Sequence, residues 1–437
     1  MHALTIVFIL AVAVETATRL WLASRQINAV RAHRNEVPEM FRGEISLADQ
    51  QKAADYTVAR VALGRVSTVF DGIFRLLLTV GGGVAAVDAL WRHSGLGEPW
   101  RGALTVGSIF LALRLAGLPF ALRRTFKVEA RFGFNRMTLP LFAVDLVKHL
   151  LLAVILGGPL LLAVITLMDH GGTWWWLWAW GLWLLWTLSL TWAAPRFIAP
   201  LFNKFSPLAD EVLKKRVEVL LERCGFSARG GVYVMDGSLR SAHGNAYFTG
   251  IGRSKRIVFF DTLLTRIDAA GIEAVLAHEL GHFRLHHIGQ RLAATVLAGL
   301  AVLAILAWSA RLPEFYPAFG VRVPSSETAL LLFMLMLPVF VFFTTPIVSR
   351  WSRRQETAAD EFAAAHADPG NLVTALVALF RDNASTLTPD GIHSSFFDSH
   401  PPAIERIARL NALAAVRPLI PLPSPGSARP TGGGTLR

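Results

Sequence analysis

Long apolar runs alternate with polar segments along this 437-residue chain. A helix that crosses a bilayer needs about 20 consecutive residues that are mostly apolar. Seven stretches meet that requirement, so the pattern predicts an α-helical integral membrane protein with seven transmembrane helices. The stretches lie near residues 3–23, 66–90, 103–122, 148–168, 174–194, 291–310 and 328–348.

The composition supports this interpretation, because 53% of the residues are hydrophobic and only 17% are charged. Soluble domains contain about 25% charged residues, so a purely cytosolic protein is disfavoured and a lipid bilayer is the expected surrounding. Cys224 is the one cysteine, which excludes an intramolecular disulfide and a thiolate zinc cluster. Any metal ion would therefore be bound by histidines and carboxylates.

Basic residues predict the orientation of the spans. The segments after the first and third spans are rich in Lys and Arg, and such loops face the cytoplasm. The N-terminus should then lie outside and the C-terminus inside, with the formal net charge of +12 explained by these loops. Ala11-Val12-Ala13 resembles a signal-peptide cleavage site, but no basic residue precedes the apolar run and the run continues beyond it, which favours a retained helix.

A polar region at residues 195–290 predicts a folded α+β domain on the cytoplasmic side. Apolar residues recur at helical spacing over 210–224, and a second helix over 269–287 begins at the capping residue Asp268. Short apolar runs predict strands at 231–235, 246–249 and 256–260.

The chain should accordingly divide into three parts. Residues 1–194 form a membrane region with five spans, and residues 195–416 form a second region interrupted by two spans. Residues 417–437 are rich in proline and glycine and are expected to be disordered. No nucleic-acid-binding module is apparent, so no nucleic-acid partner is expected.

His278-Glu279-Leu280-Gly281-His282 is an H-E-x-x-H motif on the second predicted helix. Two histidines four residues apart share one face of a helix and can bind one zinc ion, while the intervening Glu279 can activate a water molecule. A third ligand is required. His286 lies too far along a continuous helix to provide it, so His286 and His287 are expected to be solvated or to belong to a second site.

Glu356 and Asp360 follow the last span and are four residues apart, so both carboxylates face one way on a helix. One could be the third ligand and the other could accept a hydrogen bond from a ligand histidine. The pair alone is also typical of a solvated acidic surface. The seven-span topology, however, places it on the same side of the membrane as His278 and His282.

Together these motifs resemble the type I CAAX prenyl endopeptidases, which are integral-membrane zinc metallopeptidases of the gluzincin type. The resemblance extends over roughly residues 50–412. Its further matching stretches are Phe132-Gly133-Phe134-Asn135, Pro200-Leu201-Phe202-Asn203-Lys204-Phe205, Asn245-Ala246-Tyr247-Phe248, Lys255-Arg256-Ile257-Val258, Asp261-Thr262-Leu263-Leu264, Ser399-His400-Pro401-Pro402 and Glu405-Arg406.

The resemblance implies one zinc ion per chain, bound by His278, His282 and Glu356. It also implies roles for four further positions around the zinc ion. Glu279 would be the general base and acid, and Asp360 would orient His278. His400 and Arg406 would line the site, with His400 donating a hydrogen bond to the developing oxyanion.

Two further expectations concern the substrate and the surroundings of the site. Asn245 and Ala246 would begin an edge strand that holds an extended peptide, although an ordinary sheet edge is equally compatible with the sequence. The spans would enclose a water-filled chamber with the zinc site at its cytoplasmic end. The substrate would be a peptide or protein prenylated at a C-terminal CAAX cysteine, from which the last three residues are removed.

Two other functions stay open at this level. A quality-control membrane metallopeptidase of the heat-shock type would share the zinc motif but usually has about four spans. A transporter or channel with a structural zinc site is the alternative outside the enzymes. Gln355 and Thr357 stand where relatives often carry aromatic residues, which leaves the shape of the substrate pocket open.

Overall fold

The structure is a computed structural model that describes residues 2–226, 231–249 and 256–416. The tail predicted to be disordered, residues 417–437, lies outside the described residues, as does Lys255. The first part of the chain is helical. Its helices are α1 Ala3–Ala32, α2 Leu47–Leu78, α3 Gly83–Arg92, α4 Trp100–Arg123, α5 Leu139–Leu152, α6 Gly158–His170, α7 Trp175–Ala193 and α8 Ala199–Phe202.

The second part combines helices with one small sheet. Its elements are β1 Phe205–Pro207, α9 Glu211–Arg223, β2 Val232–Met235, β3 Ala246–Thr249, β4 Arg256–Phe260, α10 Asp261–Leu264, α11 Ala269–Arg284, α12 His287–Ser309, α13 Ser326–Val341, α14 Thr345–His366, α15 Pro369–Asp382, α16 Gly391–Phe397 and α17 Ala403–Val416.

Five helical stretches of the described chain are long and apolar enough to cross a membrane. Wide helical turns extend α4 and join α5 to α6, and a short tight turn joins α13 to α14. The protein is therefore a helical membrane protein. The five stretches are Ala3–Ala32, Trp100–Glu129, Leu139–His170, His287–Ser309 and Ser326–His366.

The span predicted over residues 66–90 is not one straight helix. It divides into the end of α2 and all of α3, which are bent by 48° relative to each other. Gly81, Gly82 and Gly83 lie at the break, where Gly82 has a left-handed φ of 79° and a Cβ at Gly81 would lie 2.6 Å from the Leu77 carbonyl oxygen. Glycine permits both features. If the bent pair counts as one span, the candidate spans number six.

The predicted span at 174–194 forms helix α7, which packs against α6 and α12. It is not among the five stretches that are long and apolar enough to cross a membrane. The number seven therefore stays a prediction.

The sheet has the strand order β1-β2-β4-β3. Strand β2 runs parallel to β4, whereas β1 and β3 run antiparallel to their neighbours. The three predicted strands are confirmed, and the short β1 was not predicted from the sequence. Strand β3 lies at one edge of the sheet, with Ala246 opposite Phe259 and Thr249 opposite Arg256.

One apolar core stabilises the sheet and the helices beside it. Leu220 of α9, Phe259 of β4 and Leu276 of α11 are buried in it, as is Leu410 of α17. Phe41, from the segment between α1 and α2, is also fully buried there. The predicted membrane region thus contributes a side chain to the core of the second region.

Candidate metal centre

Helix α11 carries the H-E-x-x-H motif and begins where the sequence predicts. The Asp268 carboxylate caps it by accepting a 2.8 Å hydrogen bond from the Gly271 N–H. The helix was expected to continue to His287, but it ends at Arg284. His286 adopts a left-handed conformation with φ 58°, and α12 begins at His287 in a new direction.

Helix α14 brings Glu356 to the two histidines, because it packs closely against α11. Gly281, inside the motif, makes that approach feasible. A Cβ at Gly281 would lie 3.0 Å from the Ala359 Cα and 3.1 Å from its carbonyl oxygen. The H-E-x-x-H pattern predicts the two histidines, whereas the role of Gly281 depends on the neighbouring helix and cannot be predicted from the motif.

The three predicted ligands come together in space. His278 Nε2 and His282 Nε2 are 3.3 Å apart, and the Glu356 carboxylate oxygens lie 3.3 Å and 3.4 Å from those nitrogens. Donor atoms bound tetrahedrally at about 2.0–2.1 Å from a zinc ion would be about 3.3–3.4 Å apart. These atoms form a cluster that could hold a metal ion.

A second observation fits a metal. Glu356 Oε2 is buried and makes no hydrogen bond within the described ranges, while the ring nitrogens of His278 and His400 each lie 3.3 Å from it. A buried carboxylate oxygen that makes no hydrogen bond is costly, and coordination of a cation would remove that cost. Two imidazoles and one carboxylate are a donor set typical of catalytic zinc, which keeps a fourth position for water or substrate.

Asp360 and Arg406 form a buried network behind His278. The Asp360 Oδ1 accepts a 2.8 Å hydrogen bond from His278 Nδ1, which is the contact that the family resemblance implies. The Arg406 guanidinium donates two hydrogen bonds of 2.7 Å to the same carboxylate. All three residues are less than 10% exposed. This pairing fixes the His278 ring so that Nε2 is directed at Glu356 and His282.

His287 contacts the other histidine ligand, His282. This role of His287 was not predicted from the sequence. The His287 Nδ1 lies 3.0 Å from His282 Nδ1, and the residue is only 5% exposed. The expectation that His287 belongs to solvent or to a second site is therefore wrong, whereas His286 is exposed. The turn at His286 causes the difference, because it folds His287 back onto His282.

Glu279 lies between the two histidines on α11 and is partly buried. Burial raises the pKa of its carboxyl above the ordinary value, although the neighbouring His278 and His282 oppose the shift. A carboxyl with a raised pKa can both accept and return a proton near neutral pH.

His400 reaches the metal centre from the loop between α16 and α17. Its Nε2 lies 3.3 Å from Glu356 Oε2, and its side chain is 58% exposed. His400 also lines a cavity of about 900 Å³, so its exposed part faces that space. The ring therefore lies between the ligand cluster and a volume large enough for a peptide.

Asn245 and Ala246 lie at the sheet edge, as predicted. Asn245 is exposed and its carbonyl oxygen accepts a 3.0 Å hydrogen bond from the Phe260 N–H, while Ala246 is the first residue of β3. The preceding His243 stacks on Phe134 with ring centroids 4.5 Å apart. This contact fixes the start of β3 against the segment between α4 and α5.

Comparison with known proteins agrees with this geometry. The family described as CAAX prenyl protease N-terminal, five membrane helices, matches residues 26–204, and peptidase family M48 matches residues 207–414. The chain belongs to the CAAX prenyl proteases of peptidase family M48. It is a membrane metalloendopeptidase, and the resemblance found in the sequence is confirmed.

Relatives of this M48 peptidase are similar over most of their length. CAAX prenyl protease 1 of Saccharomyces cerevisiae is 36% identical over 68% of this chain and 69% of its own. The rice homologue is 34% identical over 70% and 72%. The human homologue is 29% identical over 90% and 93%.

The fold of this M48 peptidase also has a solved counterpart. The crystal structure of S. mikatae Ste24p matches with a TM-score of 0.86 and 28% identity. The match covers 94% of this chain and 99% of that one. The similarity therefore includes both the membrane helices and the region that carries the metal centre.

Proposed function

We propose that this chain is a zinc endopeptidase that removes the C-terminal tripeptide of prenylated CAAX substrates. The observation that carries the proposal is the ligand cluster of His278, His282 and Glu356, whose donor atoms are 3.3–3.4 Å apart. The relatives named CAAX prenyl protease 1 support the substrate class.

Zinc is the proposed ion because the donor set is two imidazoles and one carboxylate. When bound, zinc would polarise the scissile carbonyl group and lower the pKa of a water molecule toward about 7. Asp360 would hold His278 in the tautomer that leaves Nε2 free for the ion, and His287 would do the same for His282.

The reaction itself would be performed by two side chains of the site. Glu279 accepts the proton of the attacking water and returns it to the leaving amine nitrogen. His400 donates a hydrogen bond to the oxygen of the scissile carbonyl as negative charge develops on it. Its position next to Glu356 and at the cavity wall supports that role.

The substrate backbone would lie along β3 in an extended form. Strand β3 is at the edge of the sheet, and Asn245 and Ala246 stand where it begins. Main-chain hydrogen bonds to such an edge bind a peptide with little dependence on its side chains. Specificity would then come from the cavity beside His400.

In the membrane, we propose seven spans around a water-filled chamber, with the metal centre facing the cytoplasm. Counting α7 and the bent pair of α2 and α3 with the five qualifying stretches gives seven. The basic segments after α1 and α4 support the cytoplasmic side. Charged pairs on the spans, such as the buried Glu15 with the partly buried Arg75, are typical of a polar interior.

The test is hydrolysis of a farnesylated CAAX peptide and its unprenylated twin by the purified protein, with and without a zinc chelator. Chelator-sensitive release of the terminal tripeptide from the farnesylated peptide is the expected result. Cleavage of both peptides at one rate would favour a quality-control protease. Failure to cleave either peptide, with zinc bound, would overturn the proposed substrate class.

A further inference from the structure

The cavity beside His400 has two arginines in its wall that catalysis does not use. It has a volume of about 900 Å³, within the range of about 300–1,000 Å³ of ligand pockets. Helix α2 contributes Arg60 to the wall, and the wide turn after α4 contributes Arg124. His400 and Arg406 form part of the wall on the side of the metal centre.

Of the two arginines, Arg124 forms one long ion pair with a carboxylate that other groups share, and Arg60 forms none within the described residues. The Arg60 guanidinium lies 5.2 Å from the centre of the Tyr56 ring and makes no ion pair within the described part of the chain. Arg124 is 3.7 Å from Glu129 and its side chain is 61% exposed. Glu129 is itself engaged by the Tyr56 hydroxyl, which donates a 2.6 Å hydrogen bond to it.

The charge of the cavity wall is positive. Asp398 is the one carboxylate that lines it among the described residues, against Arg60, Arg124 and Arg406. Arg406 is already neutralised by Asp360. An anionic ligand is therefore favoured near Arg60 and Arg124.

We propose that Arg60 and Arg124 bind the C-terminal carboxylate of the substrate. The inference rests on the proposed function, since only a substrate cleaved near its end carries this group close to the site. Three extended residues span about 10 Å, so a carboxylate bound elsewhere on the cavity wall would lie about that far from a scissile bond at His400. Arginine suits this role because its planar guanidinium can form two parallel hydrogen bonds to a carboxylate.

Apolar side chains also line the cavity. Val61 and Phe120 come from the membrane helices, and Leu376 and Phe380 come from α15. They suit the aliphatic residues that precede the terminal position of a CAAX sequence. Binding of the terminal carboxylate would thus set which peptide bond lies at the metal centre. This would favour release of a C-terminal tripeptide over cleavage at internal bonds.

The test uses two farnesylated CAAX peptides that differ only in a free C-terminal carboxylate or a carboxamide. For the wild-type protein we expect kcat/KM to be about tenfold higher for the acid. Arg60→Gln and Arg124→Gln should each reduce this ratio severalfold, and the double variant should bring it close to unity. Arg65→Gln and Arg123→Gln remove a charge from the same helices outside the cavity wall and should preserve the ratio.

The ratio separates this inference from the proposed function. Equal cleavage of acid and amide by the wild-type protein would overturn the inference and leave the CAAX activity standing. A ratio that survives both substitutions would also overturn it. Failure of the wild-type protein to cleave either peptide would overturn both. Because Arg60 packs on Tyr56, Arg124→Gln decides the matter if Arg60→Gln does not fold.

Discussion

The two sides of the metal centre differ in how their polar groups are satisfied. Behind the ligands, Asp360, Arg406 and His287 are buried and each has a partner within the chain. In front, the cavity presents His400, Arg60 and Arg124 with much of their surface open. A buried unpaired charge is costly, so the chain pairs the hidden groups, while the open groups are left for a substrate.

This difference predicts that substitutions on the two sides of the metal centre have different effects. Substitutions behind the ligands should weaken metal binding and stability, because they disturb the orientation of the ligands. Substitutions in front should leave the metal in place and change the kinetics instead.

Glu279→Gln should have the largest effect. Loss of the proton acceptor should lower kcat by about 10²–10⁴-fold, while bound zinc stays at the wild-type level because the three ligands are intact. Peptide hydrolysis and metal content, measured on the same preparation, check this. Glu273→Gln, on the same helix and paired with Arg216 outside the site, is the control. Full turnover in the Glu279 variant would remove it from the role of general base.

His400→Ala should lower kcat/KM by about 10²–10³-fold, because a hydrogen bond to the developing oxyanion is lost. The zinc content should not change. That result would place His400 among the groups on the cavity side, which act on the substrate and do not hold the metal. Steady-state kinetics with the farnesylated peptide measure the loss. A variant that loses zinc in proportion to activity would instead make His400 part of the metal-binding side.

Asp360→Asn should weaken zinc binding by about 10–100-fold, because His278 loses its carboxylate acceptor. The substitution also leaves the buried Arg406 without its ion-pair partner, so the melting temperature should fall. Competition with a chelator and thermal unfolding check the two effects. Glu361→Gln removes the adjacent carboxylate, which is half exposed, and should change neither. Unaltered zinc affinity in Asp360→Asn would contradict the positioning role.

His287→Leu should have the smallest effect, a loss of about tenfold in zinc affinity. It leaves Nδ1 of the partly buried His282 without its ring-nitrogen partner. His286→Asn is the matched control, since asparagine tolerates the left-handed backbone at that position. Equal affinities in the two variants would show that His287 does not support the ligand.

The sequence predicted those parts of the site that depend on local geometry. The spacing of His278 and His282 on one helix is sufficient to bring both rings together. Glu356 and Asp360 came from the same spacing rule combined with the family resemblance. The role of His287 could not be predicted from residue spacing, because its position depends on the left-handed conformation of His286. No sequence motif at His286 predicts that conformation.

In the fold, too, local features could be predicted from the sequence, whereas features that depend on distant contacts could not. The apolar runs predicted the spans, but the bend between α2 and α3 arises at a glycine cluster inside one such run. Strand β1 escaped prediction because Phe205–Pro207 is only three residues long and pairs with β2 across an intervening helix. Likewise, the cavity is built from α2, α4 and α15, which are distant in sequence.

The central claim is that His278, His282 and Glu356 bind the catalytic metal. Measurement of bound zinc per chain in the wild-type protein, Glu279→Gln and Glu356→Gln tests it most directly. We predict about one zinc per chain in the first two and little or none in Glu356→Gln, which loses one of three ligands. Equal zinc in Glu356→Gln and the wild-type protein would contradict the account.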